Sequence, residues 1–568
     1  MRYHVLACDY DGTIAHHGKV SDDTVAALKK IKDSGRRLIL VTGRQLESLA
    51  EHFPAVELFD QVVAENGALL YTPSTHTEKV LAEAPSGEFV QMLRDRGVAP
   101  LSIGRAIVAT WVPNDKAVFD AIHELGLELQ VTFNKGAVMV LPSGVNKATG
   151  LTAALLELKL SPHNAVGVGD AENDHAFLTI CECSVAVSNA LPALKKRADL
   201  VTVGDHGDGV IELVEMLIRD DLEQVDTTLT RHDILLGTDD MGNEVLVRPQ
   251  VESTLIAGTS GGGKSTLTTG VLERLVGYQI CIIDPEGDYE HFENAIVLGT
   301  SDNAPAVEEV LDVLDDPQCN AAVNLLALRV DERPSFIAEL FPQLLRLRSS
   351  TGRPHLIVID ETHHLFPRDW SPTRTIMPDS AYGQILITVH PDHIAAPLLD
   401  TVGTLIVIGA NPDETIRKFS DSTGRRSPAP TAGRLEAGDA ILWRVRDGAE
   451  PLAFRSAPPQ RQLRRHLRKY AEGKLGEDRS FYFCGPDNRL HLRAYNLVSF
   501  VEIGEGLDDE TWLHHLQNGD YSEWIRMSIK DDELARKVAS VERTPEISAD
   551  DSRARIRGAI EKRYTLPA

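Results

Sequence analysis

Asp9 and Asp11 lie two positions apart in the segment ACDYDGT, directly after the apolar run Val5-Leu6-Ala7. In a β-strand, residues two apart point to the same side, so both carboxylates can face one site. Two like charges held together are unfavourable unless a cation or a proton lies between them. The pair by itself therefore leaves two interpretations open, a catalytic carboxylate pair or an acidic turn.

Three later segments carry the residue types that would complete a phosphate and metal site. LILVTGR ends an apolar strand at Thr42, whose hydroxyl and neighbouring amides suit a phosphate oxygen. GVNKATGL places Lys147 at a helix start, where its ammonium can reach the same phosphate. AVGVGDAENDHAFL contributes Asp170 and Asp174, and with Asp9 these give the oxygen ligands that Mg²⁺ prefers. Four such segments in this order favour the catalytic interpretation.

The motifs DYDGT, TGR, NK and GDAEND, all within residues 1–220, resemble the haloacid-dehalogenase-type phosphatases, in particular their Cof-like and sucrose-phosphatase-like branch. The resemblance implies that Asp9 is the nucleophile of an aspartyl-phosphate mechanism and that Asp11 is the acid and base. It implies phosphate contacts from Thr42 and Lys147. The Mg²⁺ ligands that it implies are Asp9, Asp11, Asp170 and Asp174. The substrate contacts that it implies are Arg44, Glu65, Asn66, Asn173 and Asn189.

A second candidate site begins in STLIAGTSGGGKSTLTTG, where the glycine loop G-x-x-x-x-G-K-S follows a predicted strand and opens a predicted helix. The glycines let backbone amides turn inward around phosphates, Lys264 can reach the β and γ oxygens, and the Ser265 hydroxyl can bind Mg²⁺. The predicted ATP-binding residues are Gly258, Gly261, Gly263, Lys264, Ser265 and Thr266.

A second pair of carboxylates follows about a hundred residues later, in HLIVIDETHHLF. Asp360 suits the Mg²⁺ site of a nucleotide, and Glu361 suits polarising the attacking water. Five apolar strands are predicted, and the strand ending at Asp360 is not the next one after the glycine loop. This pattern predicts an ATPase with an additional strand and disfavours a small-molecule kinase, which needs no such glutamate.

The segment DPEGDY, within residues 233–450, resembles the HerA/FtsK-type motor ATPases. Members of that family form hexameric rings around nucleic acid, so the resemblance implies a homo-oligomeric ring. His390 occupies the place of the family's polar sensor, although glutamine is usual there. Arg425 and Arg426 could supply an arginine finger to a neighbouring subunit, although a solvated arginine pair is the favoured interpretation.

The predicted fold class is α/β. A Rossmann-like phosphatase core with an α/β cap insert precedes a RecA-like P-loop ATPase core and a small α+β C-terminal domain. The cap insert interrupts the strand–helix rhythm between the second and third phosphatase motifs. The predicted divisions are residues 1–220 for the phosphatase with its cap at about 73–143, 221–232 for a linker, 233–455 for the ATPase, 461–545 for the C-terminal domain and 546–568 for a charged tail.

Length and net charge limit the number of domains and the classes of protein that fit this chain. A chain of 568 residues packs into about three or four domains, and its net charge of −26 argues against an overall basic nucleic-acid binder. Residues 201–400 carry 12 Lys and Arg against 34 Asp and Glu, whereas residues 451–500 carry 10 against 4. A local basic surface therefore stays possible, with RQLRRHLRKY at 461–470 as its helical face.

The aromatic residues after that segment, in RSFYFCGPDNRLHLRAYNLVSF, fit either of two structures. Interleaved with Arg479, Arg489 and Arg493, they could form a base-stacking surface. They could equally form the core of a small strand pair packed under helices, which is the favoured interpretation.

The sequence contains no apolar run long enough for a bilayer, no signal segment, and six scattered cysteines without a disulfide or metal-ligand rhythm. A cytoplasmic protein without membrane contact is therefore expected.

Three functions remain open. The first is a Mg²⁺-dependent phosphomonoester hydrolase fused to an ATP-hydrolysing domain that regulates or drives it. The second is a nucleic-acid translocase with an accessory end- or nucleotide-phosphatase, and the third is an ATP-sensing switch, which the predicted hydrolytic Glu361 disfavours. The expected partners are a phosphorylated small molecule or nucleotide, ATP with Mg²⁺ and, for the second function, nucleic acid.

Overall fold

The computed structural model of the chain describes all residues except 135, 227–228, 260–261, 291, 293, 371–381, 431–434, 437, 447, 460–474, 476–478, 487, 530 and 565–568. The predicted basic segment 461–470 lies outside the described residues. None of the described helices combines the length and the apolar character that crossing a bilayer requires.

The N-terminal core is built on an eight-stranded sheet with the order β12-β11-β10-β1-β2-β3-β4-β5. Its strands are β1 (Val5–Asp9), β2 (Arg37–Val41), β3 (Gln61–Ala64), β4 (Leu69–Thr72), β5 (Thr77–Val80), β10 (Ala165–Gly169), β11 (Cys183–Ala186) and β12 (Leu200–Val201). From β12 to β3 the pairing is parallel, and β4 and β5 continue it as an antiparallel edge. The central strands are apolar throughout because helices cover both faces.

The helices around this sheet are α1 (Asp22–Asp33), α2 (Leu46–His52), α5 (Lys147–Glu157), α6 (His175–Ile180), α7 (Pro192–Lys195), α8 (His206–Asp220) and α9 (Glu223–Asp226). Two of them begin at side-chain caps that the sequence provides. The Ser21 hydroxyl accepts from the Thr24 amide at α1, and the Asn146 side chain accepts from the amides of Ala148 and Thr149 at α5. The second cap matters because it fixes the residue that follows it, Lys147.

The cap contains a separate four-stranded antiparallel sheet with the order β6-β7-β9-β8. It consists of α3 (Gly87–Asp95), β6 (Ser102–Ile103), β7 (Val108–Trp111), α4 (Asp115–Glu124), β8 (Leu129–Asn134) and β9 (Ala137–Pro142). Because side chains alternate along a strand, Val108 and Val140 pack under the cap helices while Trp111 and Met139 face the other way. Residues 77–80, which the sequence assigns to the cap, instead pair with β4 in the core sheet.

The central core contains an eleven-stranded sheet with the order β14-β13-β23-β22-β21-β15-β20-β19-β16-β18-β17. Its strands are β13 (Ile234–Thr238), β14 (Glu244–Val247), β15 (Ser253–Gly258), β16 (Ile280–Asp284), β17 (Ile296–Leu298), β18 (Ala321–Asn324), β19 (Leu356–Ile359), β20 (Gln384–Thr388), β21 (Val402–Ile408), β22 (Asp439–Arg444) and β23 (Leu452–Ser456). Strand β20 lies between the glycine-loop strand β15 and the carboxylate strand β19, so the additional strand that the sequence predicts is present.

The helices of the central core are α10 (Lys264–Arg274), α11 (Val307–Asp315), α12 (Arg333–Thr351), α13 (Thr362–Leu365), α14 (Ala396–Leu399) and α15 (Pro412–Thr423). They form two apolar layers, one on each face of the sheet. This arrangement explains why β15, β16, β19, β20 and β21 read as continuous apolar runs in the sequence.

The C-terminal region combines a short hairpin, β24 (Phe481–Phe483) and β25 (Leu492–Ala494), with α16 (Leu497–Gly506), α17 (Asp509–Asn518), α18 (Asp520–Trp524), α19 (Asp532–Glu542) and α20 (Ala549–Tyr564). The aromatic residues Phe481, Phe483, Phe500 and Trp512 are buried together in its core. The structure thus favours the core interpretation of these aromatic side chains over a base-stacking surface.

The segment predicted as a charged tail, 546–568, contains the helix α20. Its Ile556 and Ile560 are buried in the same apolar core, because they lie one turn apart on one face of the helix. Abundant charges on the other faces concealed this short apolar stripe in the sequence.

Glu182 joins the N-terminal core to the central core. Its carboxylate accepts hydrogen bonds from the Tyr278 hydroxyl at 3.1 Å, from His163 Nδ1 at 2.8 Å and from the Arg2 guanidinium at 2.6 Å. The Tyr278 ring also stacks on His163, with ring centroids 3.8 Å apart. Burial favours the neutral acid, but the His163 bond and the charge of Arg2 outweigh it and hold the pKa of Glu182 at about 2.

This interface joins the amino ends of the two sets of parallel strands. Asn164, directly before β10, accepts a hydrogen bond from His355, directly before β19, at 3.0 Å. Glu182 and Tyr278 likewise precede β11 and β16. Both candidate carboxylate sites follow the carboxyl ends of their strands, so they lie at the outer edges of the two sheets and face away from each other.

We predict that Glu182→Gln lowers the free energy of unfolding by about 3–5 kcal/mol at pH 7, because it leaves buried cationic and donor groups without their anion. The folded-state pKa of about 2 lies below the ordinary value of 4.5, so the carboxylate's contribution is complete above about pH 4.5 and is lost as the pH falls toward 2. In urea unfolding, the difference between wild type and variant should therefore shrink from pH 7 to pH 3.

The matched control is Glu157→Gln, which removes an exposed ion pair with Lys79. Such a pair contributes at most about 1 kcal/mol. Equal losses for the two variants would contradict the role of Glu182 in the interface.

Candidate active sites

Lys147 lies between two carboxylates at the carboxyl edge of the N-terminal sheet. Its ammonium donates to Asp9 Oδ1 at 2.5 Å and to Asp174 Oδ1 at 2.6 Å, and all three side chains are buried. The sequence predicted each of these residues in the site, and the structure brings them together. An ammonium has three donors, so one remains for a substrate oxygen.

The carboxylates of Asp9, Asp170 and Asp174 form a buried cluster whose ligand atoms lie within 4.8 Å of one another. The other oxygen of Asp174 accepts from the backbone amides of Asp170 and Ala171, each at 2.9 Å, which fixes its orientation. The Thr13 hydroxyl donates to Asp170 Oδ1 at 3.3 Å. Three convergent carboxylates fit a hard divalent cation such as Mg²⁺.

Burial and charge shift the pKa values of these groups in opposite ways. Burial raises the pKa of Asp9 to about 8, the nearby charge of Asp174 adds to this rise, and Lys147 opposes it. Burial alone would lower the pKa of Lys147, but Asp174 and Asp9 raise it above its ordinary value. The lysine therefore stays charged, and the crowding of carboxyl groups that raises the pKa of Asp9 would be relieved by a further cation.

Asp11 lies outside that cluster, although the sequence assigned it to the metal site as well as to acid–base chemistry. Its carboxylate forms a bidentate pair with Arg44, whose Nε and Nη2 donate at 2.7 and 2.6 Å. The carboxylate is half-buried. Arg44, predicted as a substrate contact, thus orients the predicted acid and base.

Thr42 and the turn at residues 65–67 lie next to Arg44. The Thr42 hydroxyl accepts from the Arg44 amide at 3.1 Å, and the Thr42 carbonyl accepts from the Asn66 amide at 3.0 Å. Asn173 donates from its side chain to Asn66 Oδ1 at 3.2 Å. These predicted phosphate and substrate residues are therefore neighbours in the structure.

Asn189 holds loops together next to the site. Its side chain donates to the Gly12 carbonyl at 2.7 Å and accepts from the His206 amide at 2.7 Å. Both polar ends of the amide are engaged by backbone groups, so the structure places Asn189 as a support of the Asp9–Asp11 turn.

A cavity of about 230 Å³ lies between the N-terminal core and the cap. Its wall includes Gly43, Arg44 and Gln45 from the core and Ile107, Trp111 and Met139 from the cap. Arg44 lines this cavity and also holds Asp11, so one side chain links the cavity wall to the predicted acid and base. Sequence reasoning located the cap but not the residues on its inner face, since these depend on how the cap is oriented.

The glycine loop of the central core precedes α10 as predicted. Lys264 is buried, and its ammonium donates to the carbonyls of Gly258 and Thr259 at 3.0 and 3.1 Å. Ser265 is half-buried and Thr266 exposed at the first turn of the helix, and Gly263 before it has a positive φ of 101°. Gly261 lies outside the described residues.

Asp360 and Glu361 follow β19 at the same edge of the sheet. Burial raises the pKa of Asp360 well above its ordinary value, and the charges of Glu361, Asp288 and Asp284 add to the rise. This acidic edge fits a site for Mg²⁺ carried by a nucleotide.

Histidines surround Glu361 in a way that the sequence did not predict. His363 Nδ1 lies 3.5 Å from Glu361 Oε2 and 3.1 Å from the Thr388 hydroxyl at the end of β20. The Thr388 hydroxyl also accepts from the His390 amide at 3.0 Å. His390, the predicted sensor, therefore lies in the same network as Glu361.

Arg425, a predicted arginine finger, donates to the carbonyls of Val402 and Asp400 within its own chain, each at 3.1 Å. Arg426 is exposed. These contacts attach Arg425 to the end of α14 and the start of β21.

Comparison with known proteins decides the family of the N-terminal core. The family model of haloacid dehalogenase-like hydrolases matches residues 6–108 and 113–214. A phosphoglycolate phosphatase of Halorubrum lacusprofundi is 30% identical over 216 residues, which are 36% of this chain and 92% of that protein. The chain belongs to the haloacid dehalogenase-like hydrolases.

Two further relatives of this hydrolase are similar over the same region. Phosphoglycolate phosphatase 2 of Saccharolobus solfataricus is 28% identical over 220 residues, covering 38% of this chain and 92% of that protein. A phosphoglycolate phosphatase of Methanothermobacter thermautotrophicus is 29% identical over 218 residues, covering 37% and 96%.

A second family model, the central domain of the helicase HerA, matches residues 250–348 of the hydrolase. This range contains the glycine loop and runs from β15 into α12. Both predicted family resemblances and the predicted fold class are thereby confirmed, and the hydrolase carries a region that matches the HerA central domain after its haloacid dehalogenase-like region.

We predict that Mg²⁺ raises the unfolding temperature of the phosphatase domain and that Asp170→Asn removes most of this rise. The variant loses one of three convergent carboxylates, and a bound ligand at about 100 times its Kd stabilises by about 2.7 kcal/mol. Differential scanning calorimetry with and without millimolar Mg²⁺ measures the effect. Asp208→Asn, an exposed carboxylate on α8, is the control, and an undiminished Mg²⁺ effect in Asp170→Asn would contradict this site.

Proposed function

We propose that the protein is a Mg²⁺-dependent phosphomonoester hydrolase whose activity is regulated or driven by ATP turnover in its HerA-type domain. The observation that carries the first part is the Asp9–Lys147–Asp174 arrangement, with Asp11 held by Arg44, a residue that lines the cavity. We propose a phosphatase domain at residues 1–220, a linker at 221–232, an ATPase domain at 233–455 and a C-terminal domain that begins at 461. The cap begins after β5, and the C-terminal domain extends through α20.

In the proposed mechanism, the Asp9 carboxylate attacks the phosphorus atom and forms an aspartyl phosphate, and Asp11 gives a proton to the departing alcohol. Asp11 then takes a proton from the water that hydrolyses the intermediate. Lys147 and Thr42 hold the phosphate oxygens. Mg²⁺ held by Asp9, Asp170 and Asp174 would offset the repulsion between the two anions.

In the ATPase domain, we propose that the amides of the glycine loop, including Gly258, Gly261 and Gly263, hold the nucleotide together with Lys264. Ser265, Thr266 and Asp360 lie where they would hold its Mg²⁺ and phosphates, and Glu361 would polarise the attacking water. The two sites face away from each other, so ATP turnover would act on the phosphatase through the Glu182 interface rather than by handing over a product. We also propose that Arg425 and Arg426 supply an arginine finger to a neighbouring subunit in an oligomeric ring.

We predict that Asp9→Asn abolishes Mg²⁺-dependent phosphate release from p-nitrophenyl phosphate and leaves ATP hydrolysis intact. Lys264→Ala should abolish ATP hydrolysis and leave the protein able to hydrolyse the ester. Phosphate release from each substrate measures both outcomes. Loss of both activities in either variant would contradict two separate sites.

The substrate class follows from a screen over phosphoglycolate, sugar phosphates, nucleotides and phosphorylated oligonucleotides, each with and without ATP. Phosphoglycolate is the first candidate because the relatives named above are phosphoglycolate phosphatases. A substrate should show a kcat/KM well above that of p-nitrophenyl phosphate, and Asp9→Asn should abolish its turnover.

The second candidate function is an ATP-driven nucleic-acid translocase with an accessory phosphatase, which the match to the HerA central domain favours. It predicts binding of DNA or RNA that weakens steeply with salt, and ATP hydrolysis stimulated by nucleic acid. Fluorescence anisotropy at low salt and an ATPase assay measure these effects. Failure to bind at low salt would exclude this function.

A further inference from the structure

The turn Glu65–Gly67 occupies the junction of the phosphatase core, its metal loop and its cap. Glu65 and Asn66 both have positive φ angles, 51° and 55°, a backbone region that asparagine tolerates but that is unfavourable for glutamate. The Glu65 amide donates to the Arg44 carbonyl at 2.9 Å, and the Asn66 amide donates to the Thr42 carbonyl at 3.0 Å. A side chain on Gly67 would overlap the backbone of Asn146, next to Lys147.

The carboxylate of Glu65 reaches from this turn into the cap. It is fully buried and accepts hydrogen bonds from three consecutive cap amides, those of Arg105 and Ala106 at 2.8 Å each and that of Ile107 at 3.1 Å. Bonds from backbone amides to a charged carboxylate are stronger than bonds between neutral groups. The contact therefore fixes the cap loop 104–107 on the core through one core side chain.

Gly104 shows that the cap loop is shaped to receive this carboxylate. A Cβ atom at position 104 would lie 2.6 Å from Glu65 Oε2, closer than real contacts allow. The backbone of Gly104 has no positive φ, so conformational freedom does not explain the glycine. The close approach of Glu65 does.

The same loop forms part of the substrate cavity. Ile107, the third residue whose amide Glu65 binds, lines the cavity opposite Arg44, and Arg44 orients Asp11. Displacement of the loop would therefore move the cavity wall away from the predicted acid and base. A substrate whose alcohol part is large enough to extend from the phosphate into the cavity would meet this wall, whereas a leaving group as small as acetate would not.

We propose that Glu65 is a positioning residue for the phosphatase reaction: it holds the cap closed over the site and so completes the cavity for the alcohol part of the substrate. This inference rests on the proposed phosphatase function. Glu65 was expected from the sequence to contact substrate, but both of its carboxylate oxygens are engaged by cap amides. Its effect on catalysis passes through the loop 104–107.

Hydrogen exchange of the full-length chain tests the contact without relying on activity. In Glu65→Gln, the amides of residues 105–107 should exchange at least about tenfold faster, since a neutral amide oxygen replaces a carboxylate that accepted three bonds. Exchange in β1 and β2 should stay unchanged. Unchanged exchange at 105–107, or equally faster exchange in β1, would overturn the proposal.

Kinetics test the effect on the substrate cavity. For p-nitrophenyl phosphate, whose ring would extend into the cavity in the proposed mode of binding, Glu65→Gln should raise KM about tenfold with kcat nearly unchanged, because a smaller closed fraction weakens apparent binding in proportion. Hydrolysis of acetyl phosphate, which is too small to depend on the cap, should change less than about twofold. Equal changes for both substrates would indicate general damage and overturn the proposal.

A second variant approaches the same contact from the cap. Gly104→Ala should reproduce the Glu65→Gln effects, because the new Cβ displaces the carboxylate. Gly87→Ala is its control, since nothing lies within 4 Å of a Cβ at that position. Glu78→Gln is the control for Glu65→Gln, because Glu78 binds the exposed side chain of Arg105, at 3.0 Å.

The Asp9→Asn variant distinguishes a failure of the proposed phosphatase site from a failure of the proposed role of Glu65. If Asp9→Asn retains ester hydrolysis, the proposed phosphatase site is wrong, whatever Glu65 does. If Asp9→Asn abolishes hydrolysis while Glu65→Gln and Gly104→Ala behave as their controls, the phosphatase site stands and the role of Glu65 is wrong.

Discussion

The phosphatase domain depends on one buried charge arrangement, the ammonium of Lys147 between Asp9 and Asp174. Removing one member of such a group leaves an uncompensated buried charge and costs about 3–5 kcal/mol. The arrangement sets the positions of β1, β10 and α5 relative to one another, and the Asn146 cap places the lysine at the first turn of its helix. Carboxylates this close together repel one another when Lys147 is the nearby cation. The same repulsion favours the binding of a divalent metal ion.

The contact between the two cores imposes a second constraint. The strands meet at their amino ends through Glu182, Tyr278 and His355, while both candidate sites open at the carboxyl ends. The cluster of His163, Glu182 and His232 has the composition of a metal site, yet Glu182 already accepts from Arg2, His163 and Tyr278. It acts as a buried ionic junction. Any influence of ATP turnover on phosphate release must therefore travel along strands rather than through a shared substrate.

The cap adds a third layer to this plan. Its inner face is largely apolar, and three consecutive amides of its loop 104–107 bind one carboxylate from the core. The turn Glu65–Gly67 thus contacts three parts of the site. It binds the loop of Thr42 and Arg44, packs against the start of the helix that carries Lys147, and binds the cap loop that forms the cavity wall. The strained φ angle of Glu65 is the local cost of that convergence.

The sequence by itself determined which residues meet at both candidate sites, because motifs such as DYDGT and GGGKS depend on residues close together in the chain, and strand periodicity then places them at one sheet edge. It also determined the additional strand between β15 and β19. Only the tertiary structure decided that Asp11 pairs with Arg44, that Glu65 binds the cap, that α20 is part of a core and that the cores join at Glu182. These contacts link residues distant in sequence, whose approach depends on domain orientation and packing, and local patterns carry no information about either.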